Sequence, residues 1–223
     1  MKYIGVDLSL NHTGLAIVDD TGAILVTHEI DADTKTSTWH RIIDTIQKLS
    51  IFLEGENETC IEDVYFGLNA KGAKDALRLS GALMYHYYCR CKKEPVLLMA
   101  TSARKLVGLS GDCLKTEVQM YVMKRFNLVP DARLKVYIKS VNDVQVGVDQ
   151  LLNPLKDKYR KEKQPAVKKE LKEKIDLVRK EYKKAMLVIS KEIEKEFDLS
   201  EHKADALVLA LAIKRYKEAQ KEL

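Results

Sequence analysis

Residues 2–16 read KYIGVDLSLNHTGLA, and this stretch decides the fold. Lys2–Leu8 alternates in polarity and carries an acid, Asp7, near its end, which predicts a strand. A second strand at Thr13–Val18 and a third at Ala23–Ile30 follow, separated by a glycine-containing turn. Consecutive strands joined by such short connections predict an antiparallel meander.

Beyond the meander, segments in which apolar residues recur every three or four positions, as in helices, take turns with short apolar segments typical of strands. The predicted elements are a helix at about Thr36–Leu53, a strand at Thr59–Phe66, a helix at Ala70–Arg90, a strand at Pro95–Thr101 and a helix at Leu114–Phe126. This order predicts an α/β fold in which a mixed five-stranded sheet is flanked by helices.

Residues 131–197 break that rhythm and are rich in charge. Apolar residues recur every three or four positions from Val167 to Phe197, which predicts one helix of about thirty residues with a single apolar stripe. The stripe needs a partner, either Val148–Tyr159 in a hairpin, with Pro165 near the break, or a second subunit. A last helix is predicted at Ser200–Lys221.

The net charge of +5 is concentrated in one segment. Residues 156–184 contain 13 basic and 6 acidic side chains, whereas the rest of the chain carries 25 basic and 27 acidic ones. Such a segment is typical of an arm that meets nucleic acid, with Lys168 and Lys172 as candidate contacts, although a solvated lysine-rich helix has the same composition.

Several classes of protein are disfavoured by composition. The apolar runs are too short to cross a bilayer, and the first residues lack the plan of a signal peptide, so we expect no membrane partner. The expected location is cytoplasmic: nucleoid-associated, or in the host cytoplasm if the protein is viral. The four cysteines lack zinc-like spacing, and we interpret them as reduced thiols.

Asp7 and one acid of the fourth predicted strand are candidate functional residues. An unpaired carboxylate in an apolar strand is costly to bury, and a metal ion would explain Asp7, although an aspartate that ends a strand is also ordinary. In the fourth strand Glu62 and Asp63 point to opposite faces, so one of the two lies near the active edge of the sheet, unless the acid is simply exposed at a strand edge.

The last predicted helix offers a further pair of ligands near its start. His202 and Asp205 are three residues apart and share a face, as do Glu201 and Asp205 four apart. Acids at a helix start, with Ser200 as the cap, are also common without a ligand.

Three carboxylates and an imidazole would form a site of hard ligands that suits Mg²⁺ or Mn²⁺. Two such ions about 4 Å apart can activate water and stabilise the leaving oxygen in phosphodiester hydrolysis.

Several stretches along the chain resemble, in order, the RuvC family of Holliday junction resolvases. The stretch 4–16 resembles the opening strand and its Thr-Gly turn, 61–69 resembles the second acidic motif, and 73–82 is similar to the helix that follows. Residues 115–119 resemble a basic Lys-x-x-Val-Gln segment, and 202–207 resemble the closing motif. The resemblance covers roughly residues 2–130 and 198–216.

The resemblance implies a ribonuclease-H-like catalytic domain, formed by residues 1–130 and 198–223 with residues 131–197 as an inserted basic helical segment. It implies a structure-specific endodeoxyribonuclease that cuts branched DNA by two-metal-ion catalysis. The implied metal ligands are Asp7, Glu62, His202 and Asp205, and the implied catalytic residues are these four together with Lys115.

The resemblance also implies partners and contacts. Lys115 would lie close to the scissile phosphate, and Tyr65 matches an aromatic residue that the family inserts into the junction. A homodimer is implied, because a symmetric cut of a junction needs two active sites. We expect its interface on the helix Ala70–Arg90, through Ala76, Leu77, Leu79, Leu83 and Tyr87.

Two departures from the family pattern affect DNA binding. The family has a short loop where this chain has about seventy residues before the last helix. The family's basic position ahead of Gly108 aligns with Ala103, whereas Arg104 and Lys105 follow it and are the candidate DNA contacts.

Other functions remain open. A non-catalytic DNA-binding module could share the fold, and a ribonuclease H that cuts RNA–DNA hybrids could share the acids. The opening motif also occurs in actin-like phosphotransferases, but these need two such domains, for which 223 residues leave no room.

Overall fold

A computed structural model describes residues 1–55, 57–64 and 70–221. Its strands are β1 (Lys2–Asp7), β2 (His12–Asp19), β3 (Ile24–Asp31), β4 (Asn57–Glu62) and β5 (Val96–Leu98). Its helices are α1 (Thr38–Ser50), α2 (Ala70–Cys91), α3 (Ala100–Leu106), α4 (Lys115–Arg125), α5 (Asp131–Lys161), α6 (Pro165–Phe197) and α7 (Glu201–Lys221). No helix in these ranges combines the length and the apolar character that a membrane span requires.

The five strands form one mixed sheet in the order β3-β2-β1-β4-β5. The first three strands pair antiparallel as a meander, whereas β4 pairs parallel with β1, and β5 pairs parallel with β4. The predicted α/β architecture is therefore confirmed. Because β1 is the middle strand, both of its faces are covered, which accounts for its nearly complete burial from Tyr3 to Asp7.

One face of the sheet packs against α1 and α2. Ile4, Val6 and Leu15 point to this face and belong to a single apolar core. The helices contribute residues that are at most 1% exposed: Ile42, Leu49, Leu79, Leu83 and Tyr87.

The predicted dimer interface on α2 needs a correction. Leu79, Leu83 and Tyr87 were expected at a subunit contact, but they are buried inside the protomer, because they form the inner face of the amphipathic helix. Leu77, which is 40% exposed, lies on the outer face, and Ala76 is half-buried. The helical period of α2 was predicted, but the side of the helix that faces the sheet was not.

The other face of the sheet packs against α7. A Cβ atom at Gly5 would lie 2.1 Å from the carbonyl oxygen of Ala206, and one at Gly14 would lie 2.1 Å from that of His202. The helix backbone therefore rests directly on the two strands, which only glycine allows at these positions. This close approach sets the position of the first two turns of α7.

The described chain divides into two compact units, Met1–Cys113 with Ser200–Leu223, and Leu114–Leu199. The first unit contains the sheet with α1, α2, α3 and α7. The second contains α4, α5 and α6, so it begins before the predicted insertion at residue 131. The domain boundaries given by the resemblance stay a prediction.

In the second unit α5 and α6 form an antiparallel hairpin. Arg133 pairs with Glu196 at 2.7 Å near one end, and the hydroxyl of Tyr182 donates to Gln145 Oε1 at 2.6 Å farther along. The predicted stripe lies within this unit, where its buried members are Ile175, Met186, Ile189 and Ile193. Of the two partners considered from the sequence, the hairpin is the one observed, although α5 is longer than expected and continues through Pro154.

Candidate metal centre

Asp7 ends β1 and is 6% exposed. By strand alternation it shares a face with Gly5, which is the face that α7 covers. His202, in the first turn of α7, lies within hydrogen-bonding distance of it, with 2.6 Å between Nδ1 of His202 and Oδ2 of Asp7. Two of the four predicted ligands are thus in direct contact although 195 residues separate them.

Glu62 ends β4, the strand parallel to β1. Because Gly5 pairs with Cys60, the side chain of Glu62 falls on the same face as that of Asp7. Asp63 is exposed, and its carboxylate accepts a hydrogen bond from the backbone N–H of Val64. The register of β1 with β4 therefore decides between the two acids that the sequence left open.

Asp7, Glu62, His202 and Asp205 form what we call the acidic cluster. Its carboxylates are close enough to repel one another. Burial, a hydrogen bond to Asp7 and the negative charges of Asp7 and Asp205 raise the pKa of Glu62 to about 9, against a smaller opposing effect of Arg104. The side chain is consequently protonated at neutral pH in the absence of another cation. A crowded set of carboxylates that must hold a proton is an environment in which a divalent cation would be stabilising.

Asp205 lies one turn after His202 and pairs with an arginine. Nη2 of Arg104, on α3, donates to Oδ1 of Asp205 at 3.0 Å, and the two side chains are only 13% and 15% exposed. Nη1 of Arg104 donates to the carbonyl oxygen of Cys113 at 3.1 Å, which fixes the guanidinium. Burial opposes the charge of Arg104, but Asp205, Cys113 and Glu62 together raise its pKa.

The place of Arg104 was not foreseen from the sequence. We expected a DNA contact near a strand at Pro95–Thr101, but the strand is only Val96–Leu98 and the short helix α3 follows it. This helix turns Arg104 towards α7 and into the acidic cluster. Its proposed contact with DNA stays a prediction.

The start of α7 is ordered by an ordinary cap. The backbone N–H of Lys203 donates to the hydroxyl oxygen of Ser200 at 3.2 Å, as the sequence suggested. Glu201 is in the first turn, and its carboxylate lies 3.7 Å from Nε2 of His202. The cap and the glycine contacts thus hold His202 and Asp205 on the face that meets β1.

A second group near the site was missed by sequence reasoning. Among the described residues, His12, Glu29 and Asp31 bring one ligand atom each within 4.8 Å of one another. His12 and Asp31 are direct partners across β2 and β3, and His12 stacks on His202 with 5.7 Å between ring centres. The strand register, which pairs them, was the only signal that could have revealed this group.

The other predicted DNA contacts are on α3, α4 and α6 or lie outside the described residues. Three of these residues are in the second unit: Lys115, exposed in the first turn of α4, and on α6 Lys168, which is half-buried, and Lys172, which is exposed. Nζ of Lys168 lies 5.0 Å from the ring centre of Tyr159. Lys105 is exposed on α3, and Tyr65 lies outside the described residues. The DNA contacts of all five stay predictions.

The Lys-x-x-Val-Gln segment has a structural role within the second unit. Gln119 is fully buried, donates to the carbonyl oxygen of Leu199 at 2.9 Å, and accepts from the hydroxyl of Ser190 at 2.7 Å. Thr116 donates to the carbonyl oxygen of Met186 at 3.1 Å. These bonds attach α4 to α6 and leave Lys115 on the surface.

The residues of the acidic cluster fit a divalent metal. Asp7, Glu62 and Asp205 supply oxygen ligands and His202 a nitrogen, which is the set that Mg²⁺ and Mn²⁺ sites use. Burial, and then the contacts with Asp7 and Asp205, raise the pKa of Glu62, and a bound cation would oppose both effects. Glu201 is the competing acid, and its carboxylate lies 3.7 Å from Nε2 of His202.

Comparison with known proteins gives sequence relatives of one kind. The RuvC crossover junction endodeoxyribonuclease of Helicobacter pylori strain Shi470 is 26% identical over 137 residues, which cover 60% of this chain and 87% of the relative. The RuvC protein of strain 26695 matches with the same identity and coverage. No protein-family model matches the chain.

Solved structures share the fold. The structure of RuvC from Thermus thermophilus matches with a TM-score of 0.51 and 16% identity over 99% of this chain and 97% of that one. The structure of T. thermophilus RuvC in complex with a Holliday junction substrate matches with a TM-score of 0.51 and 12% identity over 98% and 96% of the two chains. The fold is therefore ribonuclease-H-like, and by sequence the chain is similar to RuvC crossover junction endodeoxyribonucleases.

Proposed function

We propose that the protein is a metal-dependent endonuclease that hydrolyses phosphodiesters in branched DNA such as Holliday junctions. One observation carries the proposal: two parallel strands and α7 bring Asp7, Glu62, His202 and Asp205 into one cluster. The relatives by sequence are crossover junction endodeoxyribonucleases, which supports the same reaction.

Asp7, Glu62 and Asp205 would hold two divalent cations, and His202 would complete the set. When bound, the cations would activate a water molecule for attack and stabilise the leaving oxygen. Asp7 keeps His202 oriented through the contact with Nδ1, which leaves Nε2 as the nitrogen that can serve as a ligand. Glu62 must release its proton to bind a cation, because its pKa is about 9 without one.

Arg104 would contribute positive charge at the edge of the cluster. Its guanidinium is held by Asp205 and the carbonyl oxygen of Cys113, so its position is fixed before DNA binds. A fixed cation near the scissile phosphate stabilises negative charge that develops in the transition state. We assign Arg104 this role in place of the basic residue that the family has at the position of Ala103.

The metal is proposed to be Mg²⁺ or Mn²⁺. Both prefer oxygen ligands with at most one or two nitrogens, as offered here, whereas a structural zinc site uses cysteine and histidine. Ca²⁺ should support DNA binding but little cleavage, because its looser coordination positions water poorly.

The substrate is proposed to be engaged by a homodimer. A symmetric cut of a four-way junction needs two active sites related by a two-fold axis. On α2 the outer face carries Leu77, Tyr85 and Tyr88, which are 40%, 73% and 52% exposed, and this face replaces the buried residues named from the sequence. Light scattering at micromolar concentration that gives only the monomer mass, with and without junction DNA, would contradict the dimer.

A cleavage panel tests the function directly. Four-way junctions, forks, flaps, linear duplex and an RNA–DNA hybrid are incubated with Mg²⁺, Mn²⁺, Ca²⁺ or EDTA, and products are resolved on denaturing gels. We expect four-way junctions to be cleaved in the presence of Mg²⁺ or Mn²⁺ but not in Ca²⁺ or EDTA. Cleavage of the hybrid but not the junction would assign a ribonuclease H, and tight binding without any cleavage would assign a DNA-binding module.

A further inference from the structure

The end of β1 that carries Asp7 also borders a cavity with no part in the site described above. The cavity has a volume of about 410 Å³, and residues of the loop after β1, of α1 and of α2 line it. Among them are Leu8, Ser9, Asn11, Arg41, Asp75 and Ala76. Leu8 and Ser9 directly follow Asp7 in the chain, so the cavity begins at the strand end that carries Asp7. Its size is that of pockets that bind small molecules rather than single waters.

Arg41 gives this cavity its chemical character. Its Nη1 donates to Oδ1 of Asn11 at 2.7 Å, and its Nη2 lies 3.4 Å from Oγ1 of Thr38. Its Nε is buried and has no hydrogen-bond partner among the described residues. Two of the five N–H donors of the guanidinium are therefore engaged, and both acceptors are neutral.

The acid in the cavity wall does not neutralise Arg41. Asp75 is paired instead with Arg78, one turn along α2, at 3.0 Å. A half-buried guanidinium with only neutral acceptors would be stabilised by an anion.

Asn11 adds donors to the same wall. Since a guanidinium can only donate, the amide oxygen of Asn11 faces Arg41 and its NH₂ group is turned away from Arg41. The hydroxyl of Ser9 lies beside it, 3.4 Å from the backbone nitrogen of Asn11. The wall thus combines a planar cation with neutral donors, which is the combination that recognises phosphate oxygens.

We propose that this cavity binds a non-scissile phosphodiester of the DNA strand that is cut, with Arg41 as its main contact and Asn11 as a second donor. The inference rests on the proposed function, since it assumes that the strand's scissile phosphate lies at Asp7. Leu10 and Ala76, which are half-buried in the cavity wall, leave apolar surface for the sugar of the same nucleotide. The contact would fix which phosphodiester along the strand reaches the acidic cluster.

A methylphosphonate scan tests the proposal. Phosphates of the cleaved strand are replaced one at a time by neutral methylphosphonate, and junction affinity is measured in Ca²⁺. For the wild type we expect one flanking position at which the replacement weakens binding about tenfold, as for the loss of one charged hydrogen bond. In Arg41→Ala the replacement at that position should have no further effect, while every other position keeps its effect. Asn11→Ala should reduce the effect at the same position.

Two further variants separate recognition from folding. Arg41→Lys keeps the charge without the planar fork and should restore only part of the affinity. Lys48→Ala, on the same helix and paired with Asp44 at 2.7 Å, should give the wild-type scan. If Arg41→Ala weakens binding while the scan stays unchanged, Arg41 only fastens the loop to α1 and the proposal is wrong. A wild-type protein that binds no branched DNA would overturn the proposed function as well.

Discussion

Asp7 and Glu62 end two adjacent parallel strands, and strand alternation puts both carboxylates on the face covered by α7. We predict that Asp7→Asn and Glu62→Gln each lower the rate of junction cleavage by about 1,000-fold, because each keeps its shape but loses the charge that binds a cation. Junction binding and the melting temperature should change little in Asp7→Asn. Cleavage rates under single-turnover conditions, with melting curves, provide the measurement.

Asp63→Asn is the matched control for Glu62→Gln. Asp63 is the next residue along the chain but is exposed, and its carboxylate is used by the N–H of Val64. We expect its cleavage rate to stay within about threefold of wild type, as for most surface substitutions. A loss in Asp63→Asn with a normal rate in Glu62→Gln would assign the ligand to the opposite face of the strand.

The raised pKa of Glu62 predicts how the stability of the metal-free protein depends on pH. The folded pKa is about 9, above the ordinary value of 4.5, so the folded state retains a proton that the unfolded state releases between these values. The free energy of unfolding therefore falls as pH rises from about 4.5 to 9. Glu62→Gln mimics the protonated form and should melt roughly 5 °C higher than wild type at pH 8 in EDTA.

The melting temperatures of wild type and Glu62→Gln are measured at each pH and subtracted, because groups other than Glu62 also titrate and affect both proteins. Wild type and Glu62→Gln should converge near pH 5 and separate towards pH 9. Adding Mg²⁺ at pH 8 should raise the melting temperature of wild type more than that of the variant, since only wild type gains a ligand. Parallel curves over the whole range would contradict the crowding of carboxylates around Glu62.

At the scale of elements, the contact between α7 and the sheet positions half of the site. We predict that Gly14→Ala lowers the melting temperature by about 5 °C or more, because its Cβ would lie 2.1 Å from the carbonyl oxygen of His202 and the helix must move. The same movement carries His202 away from Asp7, so cleavage should fall together with stability. Thermal melting and cleavage assays on the same preparations measure both.

Gly81→Ala is the control for a glycine without such a contact. Gly81 lies within α2, and nothing is within 4 Å of the Cβ that alanine would add. Since alanine favours a helix by about 1 kcal/mol over glycine, this variant should be as stable as wild type or slightly more so. A similar loss of stability in both variants would show that the α7 contact is not the cause.

Element types followed from the sequence more readily than their orientation. The meander and the helices α1, α2, α6 and α7 were predicted because apolar periodicity is strong there, and it depends on each segment alone. The dimer interface expected on α2 was wrong for Leu79, Leu83 and Tyr87, because the face of α2 that meets the sheet depends on where the partner strands lie. The helix α3 was missed because its seven residues are too few to display a period and they follow an apolar strand directly.

The site was predictable to the extent that it consists of strand ends and one helix turn. Asp7, Glu62, His202 and Asp205 were named from motif order, but the choice of Glu62 over Asp63 depends on strand register, which a single sequence does not reveal. Arg104 and the group of His12, Glu29 and Asp31 depend on contacts distant in sequence. Such contacts have no local signal, so they required the structure.

At the scale of the whole molecule, positive charge is concentrated on the α5–α6 hairpin. The apolar stripe of α6 is buried within its own unit, so the opposite surface remains available for a partner. Arg179, Lys174 and Lys184 form ion pairs with acids on the same helix. Other exposed lysines of α6 form no ion pair within the described residues, so their charge is fully available to DNA. They include Lys169, Lys172, Lys180 and Lys183.

We predict that changing Lys169, Lys172, Lys180 and Lys183 together to glutamine weakens junction binding and makes its salt dependence shallower by about two to three units, since each phosphate contact contributes a slope of about −0.9. The helices should remain intact, because the substitutions are on the surface and leave the buried stripe unchanged. The slope is obtained by measuring junction affinity at salt concentrations from about 50 to about 300 mM. Lys174→Gln with Lys184→Gln is the control within the same hairpin and should change the slope less per lysine, since Glu170 and Glu181 already offset these charges.

An unchanged slope in the fourfold variant would remove DNA as the partner of this surface. A loss of the dimer mass with an unchanged slope would instead assign the hairpin to the contact between subunits.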